Sequence, residues 1–335
     1  MTVVSLDLAY RSYEDNGLVV LRGSRDTITV TIERLRRRSV PTPATLAREV
    51  QAVAQAHEAT YLLIDGPQGW KDPASGLLHA RHCERALATP AKTGELGHCL
   101  PATWLGYVAF SIDVFDWLTA TGWRLLGDEF PLASSGGPTV AETFPTAAWR
   151  TLRIAPLPGK SRSTAGDVRA WYGALEERYS LIVDSEPTHD ELQAIVAGMA
   201  GLALERGTDT EVARFGTAPF RRDGSWREGY IVCPRADRDD SRALSQPRPT
   251  SGGSVKRRRS EPAGRSSAAR TTQPGYVNRN QQEVLSATGR PGSDHNALTY
   301  LLRCQRCGNE YGANGTDIWQ RRCPQCQGGA PGNPL

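Results

Sequence analysis

Two Cys-x2-Cys pairs, Cys304/Cys307 and Cys323/Cys326, stand fifteen residues apart near the C-terminal end of this 335-residue chain. Each pair can set two thiolates on one knuckle, and two knuckles complete a tetrahedral Zn²⁺ site. The intervening NEYGANGTDIWQRR holds Gly, Asn and β-forming residues, as a short hairpin would. Four cysteine ligands leave no coordination position open, so the spacing predicts a structural Zn²⁺ in a zinc-ribbon module and places any chemistry elsewhere. A redox or disulfide role is the alternative reading of the same pattern.

Composition divides the chain into three stretches. Residues 235–272 contain ten Lys/Arg, four Asp/Glu and no aromatic residue, a net +6, whereas the whole chain is +4. The rest is therefore slightly acidic, and the overall pI of 8.7 describes this stretch and not a basic fold. Its apolar content is too low to order it, which predicts a disordered basic linker between a domain at 1–234 and a zinc-ribbon module at 273–335. KRRRS (256–260) is its densest cluster, read either as solvated linker or as non-specific phosphate attraction. No apolar run approaches the roughly 20 residues of a membrane span, and MTVVSLDLAY is not built like a secretory signal. Cys83, Cys99 and Cys233 are scattered and odd in number, which fits reduced thiols, a cytoplasmic location and the role of small buried hydrophobes.

TVVSLDLA (2–9), LVVLRG (18–23) and TITVTI (27–32) read as a meander of three strands. Pro41 and Pro43 lead into an amphipathic helix with Leu46, Val50, Val53 and Ala54 on one face. YLLIDGP (61–67) suits a buried strand parallel to the first. RHCERALA and ATWLGYVAFSIDVFDWLTATG read as helices, PTVAETFP (138–145) as a strand, 165–178 and Asp190–Arg206 as helices, and EGYIVCP (228–234) as a closing strand. This order describes an α/β domain, a mixed sheet with helices on its faces.

The acids fall at unusual places. Asp7 sits inside an apolar strand, Asp65 ends the run YLLI, Glu142 lies in TVAETF and Asp190 begins a long helix. One such carboxylate can cap a helix or face water. Acids at equivalent ends of adjacent strands repel one another and need neutralising, which Mg²⁺ or Mn²⁺ does with oxygen ligands. Two such ions about 4 Å apart would support phosphodiester hydrolysis.

The order β-β-β-α-β-α-β-α with acids on the first and fourth strands resembles the RNase H-like fold. More closely, SLDLA, LLIDGPQGW, RHCERAL, VAETFPTAAWRTL, THDELQAIVAGMAGLALERG and GYIVCP resemble the bacterial and archaeal family of predicted RNase H-like nucleases, over about residues 2–234. The resemblance implies a metal-dependent nuclease with Asp7, Asp65, Glu142 and Asp190 as catalytic acids, and Asp7, Asp65 and Asp190 as Mg²⁺ or Mn²⁺ ligands. Family members often carry a further acid in the last motif, where this chain has Gln193. Glu191 points about 100° away from Asp190 on a helix.

Arg81, Glu84 and Arg85 are open to two readings, arginines that contact phosphate or a surface salt-bridge set at helical spacing. Lys160 and Arg162 lie in PGKSRSTAG, which either touches phosphate or is a solvated loop, and is no P-loop. His189 suits a proton shuttle or a neighbour of the helix cap. GYVNRNQQEVL, GSDHNALTYLLRC and ANGTDIWQRRCPQCQGGAPG resemble a small zinc-ribbon module found widely in bacteria. There Asn278, Arg279, Asn280 and Gln281 are polar enough to contact a ligand, and Trp319 is either a stacking surface or packing for the zinc knuckles. Arg321 and Arg322 are the expected charges for nucleic acid. The leading expectation is a metal-dependent nuclease whose ribbon recruits nucleic acid or a protein partner. The alternatives are a non-catalytic binding module, and a relative of sugar or acyl-phosphate kinases, against which the missing second half-repeat and phosphate loops argue.

Overall fold

The computed structural model describes residues 1–24, 27–35, 37, 39–128, 137–207, 210–236, 271–292 and 298–333. The expected linker at 235–272 lies almost wholly outside the described residues. Contacts divide the chain into two units, Met1–Gly252 and Gly253–Leu335.

The first unit opens with β1 (Thr2–Asp7), β2 (Gly17–Gly23) and β3 (Ile28–Glu33), followed by α1 (Pro43–Ala56) and β4 (Tyr61–Asp65). It continues through α2 (His82–Leu87), the two-residue strands β5 (Lys92–Thr93) and β6 (Cys99–Leu100), and α3 (Leu105–Ala120). Then come β7 (Arg124–Leu125), β8 (Thr139–Thr143), α4 (Pro145–Thr151), α5 (Ala165–Tyr179), β9 (Leu181–Val183), α6 (His189–Arg206), β10 (Val212–Arg222) and β11 (Ser225–Pro234). One sheet runs in the order β10-β11-β8-β4-β1-β2-β3-β9, with β7 beside the start of β8. The meander is antiparallel, and β4 lies parallel to both β1 and β8. A mixed sheet flanked by helices is therefore what forms.

Alternation along the strands sorts side chains onto two faces. Val3, Val19, Leu21, Leu63 and Ala141 pack with α4, α5 and α6, while Val4, Leu6, Leu18, Leu62, Ile64 and Val140 pack with α1 and α3. On α6, a Cβ at Gly198 or Gly201 would meet Leu21, Ser5, Leu63 or Val3 within 3 Å, so these glycines let the helix sit close on the sheet. The helix starts where Thr188 accepts the Glu191 N–H and Glu191 accepts the Thr188 N–H, a capping box.

The sequence reading missed α4, β9 and β10. Gly216 and Pro219 break the alternation of β10, whose pairing with β11 shifts between Thr217 and Phe220. In the second unit β12 (Gln282–Pro291), β13 (Leu298–Cys304) and β14 (Glu310–Asn314) form a three-stranded antiparallel sheet. The hairpin expected between the cysteine pairs is half right. β14 forms, but its partner is β13, which ends at the first knuckle, and residues 315–320 are turns. Among the described residues no helix is long and apolar enough to cross a membrane.

Candidate functional site

Asp7 ends β1 and Asp65 ends β4, and the two are register partners on adjacent parallel strands. They lie close enough for each to shift the other's ionisation, and two carboxylates so placed favour a shared proton or a cation. Burial pushes the Asp7 carboxyl well above the usual range, and the charges of Asp65 and Asp190 add to it. Burial also pushes Asp65 up to about 7, against the opposing effect of the Asp7 hydrogen bond. Tyr107, whose hydroxyl donates to the Asp65 carbonyl at 2.8 Å, fixes the chain just after the carboxylate.

Asp190 arrives from the first turn of α6. Gly17, the register partner of Asp7, makes this approach possible, since a Cβ there would lie 2.2 Å from the Asp190 carbonyl oxygen. Both carboxylate oxygens of Asp190 are engaged. Lys160 Nζ donates to Oδ2 at 2.5 Å and to Asp15 Oδ1 at 2.8 Å, while His189 Nδ1 lies 3.1 Å from Asp190 Oδ1 and its Nε2 lies 3.0 Å from the Pro158 carbonyl. Burial raises the Asp190 carboxyl, but the hydrogen bonds from His189 and Lys160 outweigh it and hold it below the usual range. Among the described residues no three carboxylates have ligand atoms within 4.8 Å of one another, a spacing that only the four ribbon cysteines reach.

Glu142 is not at a point equivalent to Asp7 and Asp65. It pairs with Ile64, one residue out of step, which turns it to the opposite face of the sheet. There Arg81 grips it with two bonds of 2.7 Å, and the Gln68 N–H adds a third at 3.0 Å. Arg81 also donates to Glu84 from Nε and Nη2 at 3.1 and 2.9 Å. Burial raises the Glu142 carboxyl, and Arg81 limits the rise. Arg81 is 1% exposed, so the salt-bridge set expected on the surface is buried, and its phosphate contact stays an expectation, since Arg81 lines the cavity that Asp65 and Glu142 share. Its neighbour Arg85 is exposed on α2. Removing Arg81 leaves two buried carboxylates uncompensated. Arg81→Ala is expected to cost about 3–5 kcal/mol in urea unfolding, with little rescue by Arg81→Lys because a lysine cannot grip Glu142 with two parallel bonds. Asp65 and Glu142 nonetheless line one cavity of about 140 Å³, with Trp104, Tyr107 and Thr143.

Gln193, where the resemblance leads us to expect an acid, accepts the Trp149 indole N–H at 2.8 Å and so ties α6 to α4. Glu191 is spent on the cap and on an ion pair with Arg34 at 2.9 Å.

In the second unit the four thiols converge, with Cys304–Cys326 and Cys307–Cys323 Sγ pairs each 3.6 Å apart. A disulfide would bring sulfurs to about 2.05 Å. A tetrahedron with Zn–S of about 2.3 Å has edges of about 3.8 Å, so the donor set and spacing fit zinc. Gln282, fully buried, aims its amide at Cys304 Sγ at 3.5 Å, donates to Gln327 Oε1 at 3.0 Å and accepts from the Tyr311 hydroxyl at 2.9 Å. Burial opposes ionisation of Cys304, but the N–H groups of Cys307 and Arg306, helped by Gln282, bring its thiol down to about 6. Nothing in the sequence singled out Gln282, which lies 22 positions from the thiol it meets.

Three expectations for the ribbon change. Arg321 is internal, bonded to Asp317 at 2.8 Å and to the Pro331 carbonyl at 2.6 Å. Asn278 and Asn280 are scaffold, holding the carbonyls of Ile318, Gln320 and Arg321. Trp319 does not pack under the knuckles but is 50% exposed, and Arg322 is exposed beside it in the chain. Comparison of this chain with protein-family models, curated proteins and solved structures gives no match.

Proposed function

We propose that the first unit is an RNase H-like domain that hydrolyses phosphodiester bonds in nucleic acid, using Mg²⁺ or Mn²⁺ held by Asp7 and Asp65, with Asp190 beside them. The observation that carries the reading is the Asp7–Asp65 pair, two carboxylates in register at the ends of central parallel strands and near enough to shift one another's ionisation. Mg²⁺ is commonly held by one or two carboxylates together with substrate phosphates, so this donor set fits it. When bound, the ion neutralises the pair and supplies Lewis acidity to the phosphoryl group. Asp7 and Asp65 hold the ion. Lys160 and His189 keep Asp190 ionised and oriented at the edge of the pair. Release of Lys160 from Asp190 would free an ammonium for a substrate phosphate and a carboxylate for the ion, which keeps Lys160 as a candidate substrate contact. Glu142, neutralised by Arg81, serves to shape the pocket floor and not to bind metal.

The second reading is a nucleic-acid- or protein-binding module without catalysis. One observation favours it: two of the four acids, Glu142 and Asp190, already have cations of the protein's own as partners. Incubating the full-length chain with labelled single- and double-stranded DNA and RNA, with Mg²⁺ or Mn²⁺, separates the two. Hydrolysis lost in Asp65→Asn is the expected result. Wild-type protein inert on every substrate with either metal would leave the binding module as the function.

A further inference from the structure

We propose that Arg279, Trp319 and Arg322 form a binding face for single-stranded nucleic acid on the ribbon. Trp319 is 50% exposed, and the Arg279 guanidinium lies over its ring, 5.4 Å from the centroid. An exposed indole on a floppy turn would mean little, but this turn is held on every side. Asn278 Nδ2 donates to the Ile318 and Arg321 carbonyls at 2.6 and 2.9 Å, and Asn280 Nδ2 to those of Gln320 and Arg321 at 2.9 and 3.1 Å. Ile318, fully buried, anchors the turn from below. Two side-chain amides and a core residue thus fix the backbone that presents one solvent-facing ring. Such rigidity lowers the entropic cost of binding and has no use in a merely solvated turn.

Charge and shape together choose the partner. Arg279 and Arg322 are exposed, whereas the one acid of the turn, Asp317, is consumed by Arg321 at 2.8 Å. The turn therefore offers an aromatic ring with the Arg279 guanidinium over it and an exposed Arg322 three positions on in the chain, and its own acid is already paired. Duplex bases are already stacked and cannot reach a ring on a protein surface, whereas the bases of a single strand can stack on it while arginines meet the backbone. The net +6 of residues 235–272, next to this unit in the chain, adds attraction of the same sign. The face stands whether or not the carboxylates of the first unit are catalytic.

The test uses the full-length, zinc-loaded protein and a fluorescein-labelled oligothymidylate of about twelve nucleotides, within the usual site sizes. Anisotropy is read without added Mg²⁺ at about 0.2 M salt, where non-specific charge attraction is reduced. Trp319→Ala is expected to weaken binding about fivefold or more, with Trp319→Phe retaining most of it. Arg279→Ala and Arg322→Ala should each weaken binding and lower the salt slope by about one. Zinc content equal to wild type shows that each variant keeps its fold, and because binding is read without Mg²⁺ or Mn²⁺ it is separated from the metal-dependent hydrolysis of the carboxylate reading. Unchanged affinity in Trp319→Ala overturns the proposal and assigns the face to a protein partner. Equal competition by a blunt duplex of the same length overturns it for single strands.

Discussion

Asp7→Asn is expected to raise the stability of the metal-free first unit near pH 8 while removing its response to divalent metal. The folded chain holds Asp65 near 7 and Asp7 well above the ordinary range, chiefly through burial. The unfolded chain loses both protons near pH 4. Below that pH the two states bind the same protons and stability is at its full value. As pH rises the unfolded state ionises first, so stability declines until the folded carboxyls ionise too, at about 7 for Asp65. A displacement of that size corresponds to at most about 4 kcal/mol. Asparagine keeps the shape and removes the share of the loss that belongs to Asp7, whereas burial still displaces Asp65. Seven of the eight tryptophans lie in residues 1–233, so their fluorescence follows unfolding of this unit. Wild-type protein should melt lower at pH 8 than at pH 5, and Mg²⁺ should recover the difference. Asp7→Asn should show a shallower profile, because only the buried Asp65 is left to ionise, and no metal effect. A wild-type profile no steeper than that of the variant would mean that the pair carries no strain for a metal to relieve.

The parts of the fold that could be read from sequence are those where local pattern and final burial agree. The meander, α1 and β4 carry clean periodicity, and the parallel pairing of β1 with β4 followed from the apolar character of both. Asp7 and Asp65 were legible because an acid at the end of an apolar run is conspicuous. Glu142 faces away from the Asp7–Asp65 pair for a reason no composition reveals. A strand alternates with a period of two, so one residue of register moves a side chain through the sheet, and only the pairing of β8 with β4 sets that register. The same holds for Arg81, whose helical spacing to Glu84 was visible but whose burial depends on a glutamate 61 positions away. In the second unit, the spacing of the four cysteines marked a cluster that can hold zinc, but polar residues near them divide into scaffold and surface only in three dimensions. Asn278 and Arg321 bond inward, whereas Trp319, the largest side chain of its turn, faces out.

Removing zinc is expected to unfold the second unit completely and leave the first intact. The core of the three-stranded sheet is small: Val284, Leu302, Tyr311, Ala313 and Ile318, joined by two of the ligands themselves, Cys304 and Cys323. A core of this size cannot offset the conformational entropy of the chain that surrounds it, so the metal has to supply the difference. Structural zinc is worth about 10–16 kcal/mol in comparable sites, more than enough to move such a module from folded to unfolded. The first unit draws on two large cores, one on each face of its sheet, and uses none of the four cysteines. Purified protein should therefore carry about one zinc per chain, as a single four-thiolate site predicts. A chain ending at residue 299 should carry none. Chelation should expose residues 273–335 to protease while the tryptophan signal of the first unit stays unchanged. Cys304→Ser should reproduce the effect, because a hydroxyl is a poor substitute for a thiolate at a soft site. Zinc retained in full by the shortened chain would move the metal to another part of the protein. A ribbon that stays protected after the metal is gone would mean that Gln282 and the amide network around Asn278 suffice to hold the fold, with the four thiols left free for redox chemistry.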